Sequence, residues 1–181
     1  QKTLTRLAAI GYVIPGAVLA LGVMMPFGAF DNALDSVMRA QFGISTGLVL
    51  SGTLFALLFA YVVRFLALSF GPLESGLARI TPAMDMAARS LGHGPGSALR
   101  RVHMPMLRGP VLTAILLVFV DCMKELPATL ILRPFNFDTL STHVYTYASL
   151  GRLEDSALAG LTIVMGGLLP VILLPRAGSG G

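Results

Sequence analysis

The chain has 181 residues, 55% of them hydrophobic and only 12% charged, with a mean hydropathy of +0.79. Those proportions exclude an ordinary water-soluble domain and indicate an integral membrane protein. The net charge of +4 comes from arginines concentrated beside apolar stretches, without interleaved aromatics, which excludes a nucleic-acid surface; the one cysteine, Cys122, allows neither an internal disulfide nor a metal-ligand spacing and is read as a packing residue.

In chain order, four stretches approach the ~20 residues that a helix needs to cross hydrocarbon: Leu7 to Met25, Thr46 to Val63, Gly109 to about Leu132, and Ala157 to Pro175. None shows the period-2 alternation of a barrel strand, and helices satisfy their own backbone groups in lipid. The expected fold class is therefore all-α, a polytopic transmembrane bundle of about four spans. The first stretch has the length of a secretory leader but no small-residue cleavage site, and further spans follow it, so it reads as a mature helix. The opening Gln1 is expected to mark a trimmed chain or a piece of a longer polypeptide, with 1–176 as the membrane domain and 177–181, Ala-Gly-Ser-Gly-Gly, as a flexible tail.

Placing both termini and the 64–108 interval in the cytosol puts Lys2, Arg6, Arg64, Arg79, Arg89, Arg100, Arg101, Arg108 and Arg176 inside, leaving Arg39, Arg133 and Arg152 outside and Lys124 in a span. That asymmetry obeys the positive-inside rule. Arg64, just past the second stretch, reads as a cytosolic snorkelling anchor.

Within the interval, Thr81-Pro82 predicts a helix start, a hydroxyl N-cap followed by proline at the first helical position. Met84, Ala87, Ala88 and Leu91 then fall at i, i+3, i+4 and i+7, predicting one small apolar face. Gly92 is placed to end the helix in a left-handed cap, Gly94-Pro95-Gly96 to turn the chain, and Ser97 to His103 to form a second short helix. Two alanines on an exposed face would admit another backbone closely; the alternative is that the face packs back on its own bundle. His93, His103 and His143 have no ligand spacing.

The third stretch carries Asp121, Lys124 and Glu125. A central charge costs about 2.5–3.5 kcal/mol on an insertion scale, against about 0.3–0.6 gained per strongly apolar residue, so this helix needs protein partners or a wet cavity. Asp121 reaches Lys124 at i+3 and Glu125 at i+4, and Pro127 weakens the ladder one turn further on. Charged, broken helices usually line a cavity, which makes Asp121 and Glu125 candidates for a permeation path tuned by Lys124. Snorkelling of Lys124 and Glu125 at the outer interface is the competing reading. In the outer loop from Arg133 to Asp155, Phe135, Phe137, Tyr145 and Tyr147 suit a headgroup belt or a docking surface, and no metal site is expected there.

Across the cytosolic interval, Met86-Ala87-Ala88, Gly92, Val102 and Met104-Pro105 hold the spacing A-A-x3-G-x9-[apolar]-x-[apolar]-P. At these residues the chain resembles the permease subunits of binding-protein-dependent ABC importers, whose cytoplasmic signature is E-A-A-x3-G-x9-I-x-L-P. Met86 stands where that family has glutamate, with Asp85 adjacent, and Val102 and Met104 replace isoleucine and leucine. Lys124 to Leu130 and Leu132 to Leu140 look like the ferric-iron branch. The resemblance covers roughly Leu7 to Leu174 and implies the last four helices of one permease unit, in a branch where two units are commonly fused.

It also implies a multi-pass protein of the bacterial inner membrane, working with a cytosolic ABC ATPase dimer, a periplasmic substrate-binding protein, a second permease unit, fused or separate, and the lipid bilayer, without cofactor or nucleic acid. The ATPase would grip the loop at Asp85, Met86, Ala87, Ala88, Arg89, Gly92, Val102 and Pro105. The chain shows no phosphate-loop pattern, so ATP hydrolysis is expected in another subunit and no enzyme activity here. Ferric ion is the expected cargo; thiamine, sulfate or a polyamine, an ATPase-independent channel or proton-coupled carrier, and an intramembrane hydrolase are the alternatives. The hydrolase is weakened by the lack of G-x-S-x-G or H-E-x-x-H.

Overall fold

Proline decides where the first span breaks. In the computed structural model, which describes residues 11–178, residues 11–13 are helical, Ile14 bends, and Pro15 precedes a new helix, α1, Gly16–Phe42. Pro15 is pre-set for this position, because its ring fixes φ and the missing N–H is not needed ahead of a first turn. The expected span Leu7 to Met25 is thus split and carried further along the chain; its residues 7–10, with Lys2 and Arg6, lie outside the described residues.

α1 continues past the expected end because its polar residues find partners. The Asp31 carboxylate, 1% exposed, accepts the backbone N–H groups of Leu50 and Ser51 at 2.9 and 2.8 Å. One turn on, Asp35 accepts from Thr46 and Gly47 and pairs with Arg39. Gly43 (φ 67) closes the helix in a left-handed cap, with its N–H on the Arg39 carbonyl and that of Ile44 on Met38. Residues 46–53, expected as helix, are instead the loop held by these aspartates, and α2 occupies Leu54–Ala78. Arg64 therefore falls inside a helix and not at its cytosolic edge.

α3, Pro82–Ser90, begins as expected at Thr81, which is extended, with Pro82 at the first position. α4, Pro95–Ala98, passes into a π-helical turn, Leu99–His103, and directly into α5, Met104–Lys124. The second loop helix is thus the foot of the third span. Pro105 gives the reason: it has no N–H to donate to Arg101 and its ring crowds that carbonyl, and the widened turn, with the Met104 N–H on the Leu99 carbonyl, removes the conflict. α5 ends at Lys124, and a short α6, Pro127–Leu132, follows with Pro127 at its first position. The continuous helix expected to about Leu132 is broken, where the proline argument puts the weakness.

α7, Leu140–Ser149, starts at a reciprocal capping box between Thr139 and Thr142. α8, Leu153–Gly178, contains the fourth expected stretch and runs two residues into the expected tail, whose residues 179–181 lie outside the described residues. Among the described residues there is no strand, and three helices are long and apolar enough to cross a membrane: Gly16–Phe42, Leu54–Ala78 and the composite Pro95–Lys124. The protein is an all-α, polytopic helical bundle.

The chain divides into two compact units, Gln1–Ala67 with Asp121–Gly166 and Leu68–Val120 with Gly167–Gly181. The core of the first is Ala20 and Val23 of α1, Ala56, Leu57 and Ala60 of α2, and Ala128 and Leu132 of α6. Four alanines among these seven let three backbones approach closely, the packing favoured where lipid offers no hydrophobic drive. In the second unit Gly76 of α2 does similar work: a Cβ there would lie 2.5 Å from Pro110 of α5.

Candidate functional site

The loop between α2 and α5 presents a partly apolar knob. Met86 (61% exposed) and Leu91 (76%) project outward, and Ala87 and Arg89 are exposed with them. Ala88 does not join that face. At 4% exposed it is covered by its own chain, which corrects the expectation that both alanines are presented together; the two flank their shared face about 100° apart, and only the Ala88 side of it is covered. Gly92 takes φ +78 with open space around its Cβ position, so its requirement is conformational. The His93 N–H then returns to the Ala88 carbonyl at 3.0 Å.

Asp85, next to the position of the missing glutamate, reaches along the hairpin with its side chain 43% exposed. Its Oδ1 lies 2.8 Å from His103 Nε2, joining α3 to the π turn, so it is engaged within the chain. The loop histidines thus have structural partners, since His93 also lies 3.3 Å from Ser97 Oγ and 3.4 Å from Arg101 Nη1. Val102 is partly buried, while Met104 and Pro105 are exposed at the foot of α5.

In the other unit, the charges of the third span are separated by the helix break. Asp121 pairs with Lys124 at 2.6 Å and accepts from the Tyr12 hydroxyl at 3.2 Å. Lys124 is 61% exposed and the Asp121 side chain 14%. Glu125 has left this stripe: its side chain is 6% exposed and faces Arg64, whose Nε donates to Oε2 at 2.9 Å. Arg64 Nη1 also donates to the carbonyl of Ile14 at 2.8 Å. One guanidinium therefore joins the kink ahead of α1 to the break between α5 and α6.

Each remaining polar group of Glu125 also has a partner. Oε1 accepts the Ala128 N–H at 3.2 Å, satisfying a free donor in the first turn of α6. Its backbone carbonyl accepts from Ser141 Oγ at 2.7 Å and Thr129 Oγ1 at 3.0 Å, and Tyr61 reaches Thr129 from α2. Gly16 is part of the arrangement, because a Cβ there would lie 2.6 Å from Glu125 Oε1. Of the expected snorkelling pair, only Lys124 is directed outward; Glu125 is buried and Arg64 is its partner.

Arg64 was the residue that span-edge counting misplaced. A signal was present in the sequence: Tyr61-Val62-Val63 precedes it and Phe65-Leu66-Ala67-Leu68 follows, so the arginine is apolar-flanked on both sides. A charge so flanked needs an opposite charge on another span. Between residues 133 and 155 Arg133 pairs with Asp138 and Arg152 with Asp155, and Phe135 and Tyr145 remain exposed. The second unit holds an open groove of about 470 Å³ along Leu73, Val111, Ile115, Val118 and Phe119, apolar except for Ser69.

No family model matches the chain. It is 29% identical over 176 residues to the Putative 2-aminoethylphosphonate transport system permease protein PhnV of Salmonella typhimurium, covering 97% of this chain and 60% of that protein. It is 28% identical over 171 residues to the Fe(3+)-transport system permease protein FbpB 2 of Haemophilus influenzae, covering 94% of this chain and 31% of that one. A third relative, the Probable ABC transporter permease protein y4fN of Sinorhizobium fredii, is 27% identical over 165 residues, 90% of this chain and 27% of its own length. The chain thus spans about 60% or less of these relatives. Over nearly its whole length it is similar to permeases of ABC transport systems, ferric-type permeases among them.

Proposed function

We propose that this chain is the membrane-spanning part of a permease subunit of an ATP-driven importer in the bacterial inner membrane. The observation that carries this reading is the exposed loop knob of Met86, Ala87, Arg89 and Leu91, built on the signature spacing and standing at the foot of a helix that continues without a stop from Pro95 to Lys124. A cytosolic ATPase dimer grips that knob together with Asp85, Ala88, Gly92, Val102 and Pro105, of which buried Ala88 and the Asp85–His103 contact shape the hairpin. Nucleotide-driven closure of the dimer moves α3 and the α4–α5 helix, and the bundle alternates its access. ATP hydrolysis belongs to that partner, cargo arrives from a periplasmic binding protein, and a second permease unit completes the path.

Asp121 and Lys124, with Tyr12, form the polar face that lines the path, and Glu125 supports it from the break. Ferric ion is the cargo favoured by the 124–140 stretch. A phosphonate is the second reading, favoured by the similarity to PhnV over more of that relative's length. The test is co-purification of the complete transporter with its ATPase. Wild type retains the partner, and Ala87→Glu, which puts a charge on the exposed side of α3 without entering the hairpin, loses it at unchanged membrane level. An Ala87→Glu protein that keeps full ATPase recovery and uptake would overturn the reading. Competition of uptake by iron chelates and by 2-aminoethylphosphonate separates the two cargoes.

A further inference from the structure

Two helices of the first unit are interrupted, at Pro15 and ahead of Pro127, and both interruptions meet one side chain. Arg64, half-way along α2, spans from the Ile14 carbonyl to the Glu125 carboxylate. Glu125 uses its second oxygen on α6 and its backbone carbonyl on Ser141 and Thr129. Glu125 is buried and Arg64 largely covered, their side chains 6% and 16% exposed, so water is a poor alternative partner for either charge. Gly16 leaves the space that the carboxylate occupies. The stretch around residues 124–130, conspicuous in the sequence, is thereby accounted for residue by residue: Glu125 is the anchor, Pro127 starts the new helix, Ala128 lies at 0% exposed in the core, and Thr129, also 0% exposed, ties back to Glu125.

We propose that Arg64 and Glu125 are positioning residues for transport: a charge latch on α2 that sets the register of α6 and, through the break, the orientation of the Asp121–Lys124 face, without either residue touching cargo. For its transport readout this rests on the permease reading above. A continuous apolar helix would need no such pair, and a cargo-binding glutamate would not spend both carboxylate oxygens and its carbonyl on the protein. The pair works as a unit, because removing either member leaves the other charge buried without compensation.

The test uses the complete transporter carrying Arg64→Gln, Glu125→Gln, or both, in a double-mutant cycle. Three quantities are read: recovery of the complex with its ATPase, initial uptake rate against binding-protein concentration, and the rate at which a maleimide labels half-buried Cys122, three residues before Glu125, followed on its own peptide. Each single variant is expected to lower maximal uptake at least tenfold with the half-saturating concentration of binding protein unchanged, and to label Cys122 at least threefold faster. The double variant is expected to be no worse than the worse single. Multiplying effects, or wild-type uptake and labelling in either single variant, would overturn the latch.

Should a single variant fail to assemble, Gly16→Ala keeps both charges and puts a methyl against Glu125 Oε1. It is expected to accelerate Cys122 labelling at least threefold, and a wild-type rate overturns the proposal. If the wild-type protein brings down no ATPase, the permease reading fails by itself; the labelling cycle, which needs no ATPase, still decides the latch.

Discussion

Replacing Asp31 by alanine tests whether the polar half of α1 is held by its loop. The carboxylate is 1% exposed and receives two backbone N–H groups, Leu50 at 2.9 Å and Ser51 at 2.8 Å, immediately before α2. Hydrogen bonds to a charged group contribute about 1.5–3 kcal/mol each, so the pair is worth about 3–6 kcal/mol gross. Removing the carboxylate also removes its desolvation cost, and the freed amides, only part-buried, can turn to water; about 2–4 kcal/mol of net destabilisation remains. In a chain of this size about 1 kcal/mol moves the midpoint by roughly 2–4 °C. Asp31→Ala is therefore expected to lower the thermal midpoint of the detergent-solubilised protein by about 5–15 °C and to expose residues 43–53 to protease. Asp31→Asn keeps one acceptor and should lose about half as much. A midpoint within 2 °C of wild type, with no new cleavage in 43–53, would refute the argument.

Three further outcomes follow from single side chains. Asp121→Asn removes a charge partner of exposed Lys124 while keeping a hydrogen-bond partner for Tyr12; uptake should fall at least tenfold with ATPase recovery constant, and unchanged uptake rejects a role on the path. Gly92→Ala, at φ +78, should destabilise the loop by about 1–2 kcal/mol, seen as faster proteolysis between α3 and α4 and weaker ATPase retention. Thr139→Ala removes the capping box of α7 and should cost about 1 kcal/mol, read as a lowered thermal midpoint with the same ATPase recovery.

Much of the architecture was legible in the chain itself. Apolar stretches long enough for lipid gave an all-α bundle, Thr81-Pro82 marked the start of α3, Gly92 the left-handed residue that ends it, and Pro127 the weakness in the third span. Each of these is a local statement: a hydroxyl beside a proline, a residue without Cβ, a nitrogen without hydrogen. The charge stripe of Asp121 and Lys124 was legible for the same reason, since three residues bring both to one helix face.

What local pattern left open was settled by contacts between distant residues. Helix ends moved wherever a polar side chain found a far partner: α1 runs on to Phe42 because Asp31 and Asp35 receive amides that lie 11 to 20 residues further along. Arg64 reads as an interface anchor until Glu125, 61 residues away, is brought against it. Ala87 and Ala88 are indistinguishable as letters, and only closure of the hairpin turns one outward and buries the other. Periodicity and the special backbones of glycine and proline are carried by neighbouring residues and so survive in the sequence. The identity of a buried charge's partner is not carried there, because it depends on which two helices pack; that was the tertiary structure's decision, and it made Glu125 the anchor of a helix break.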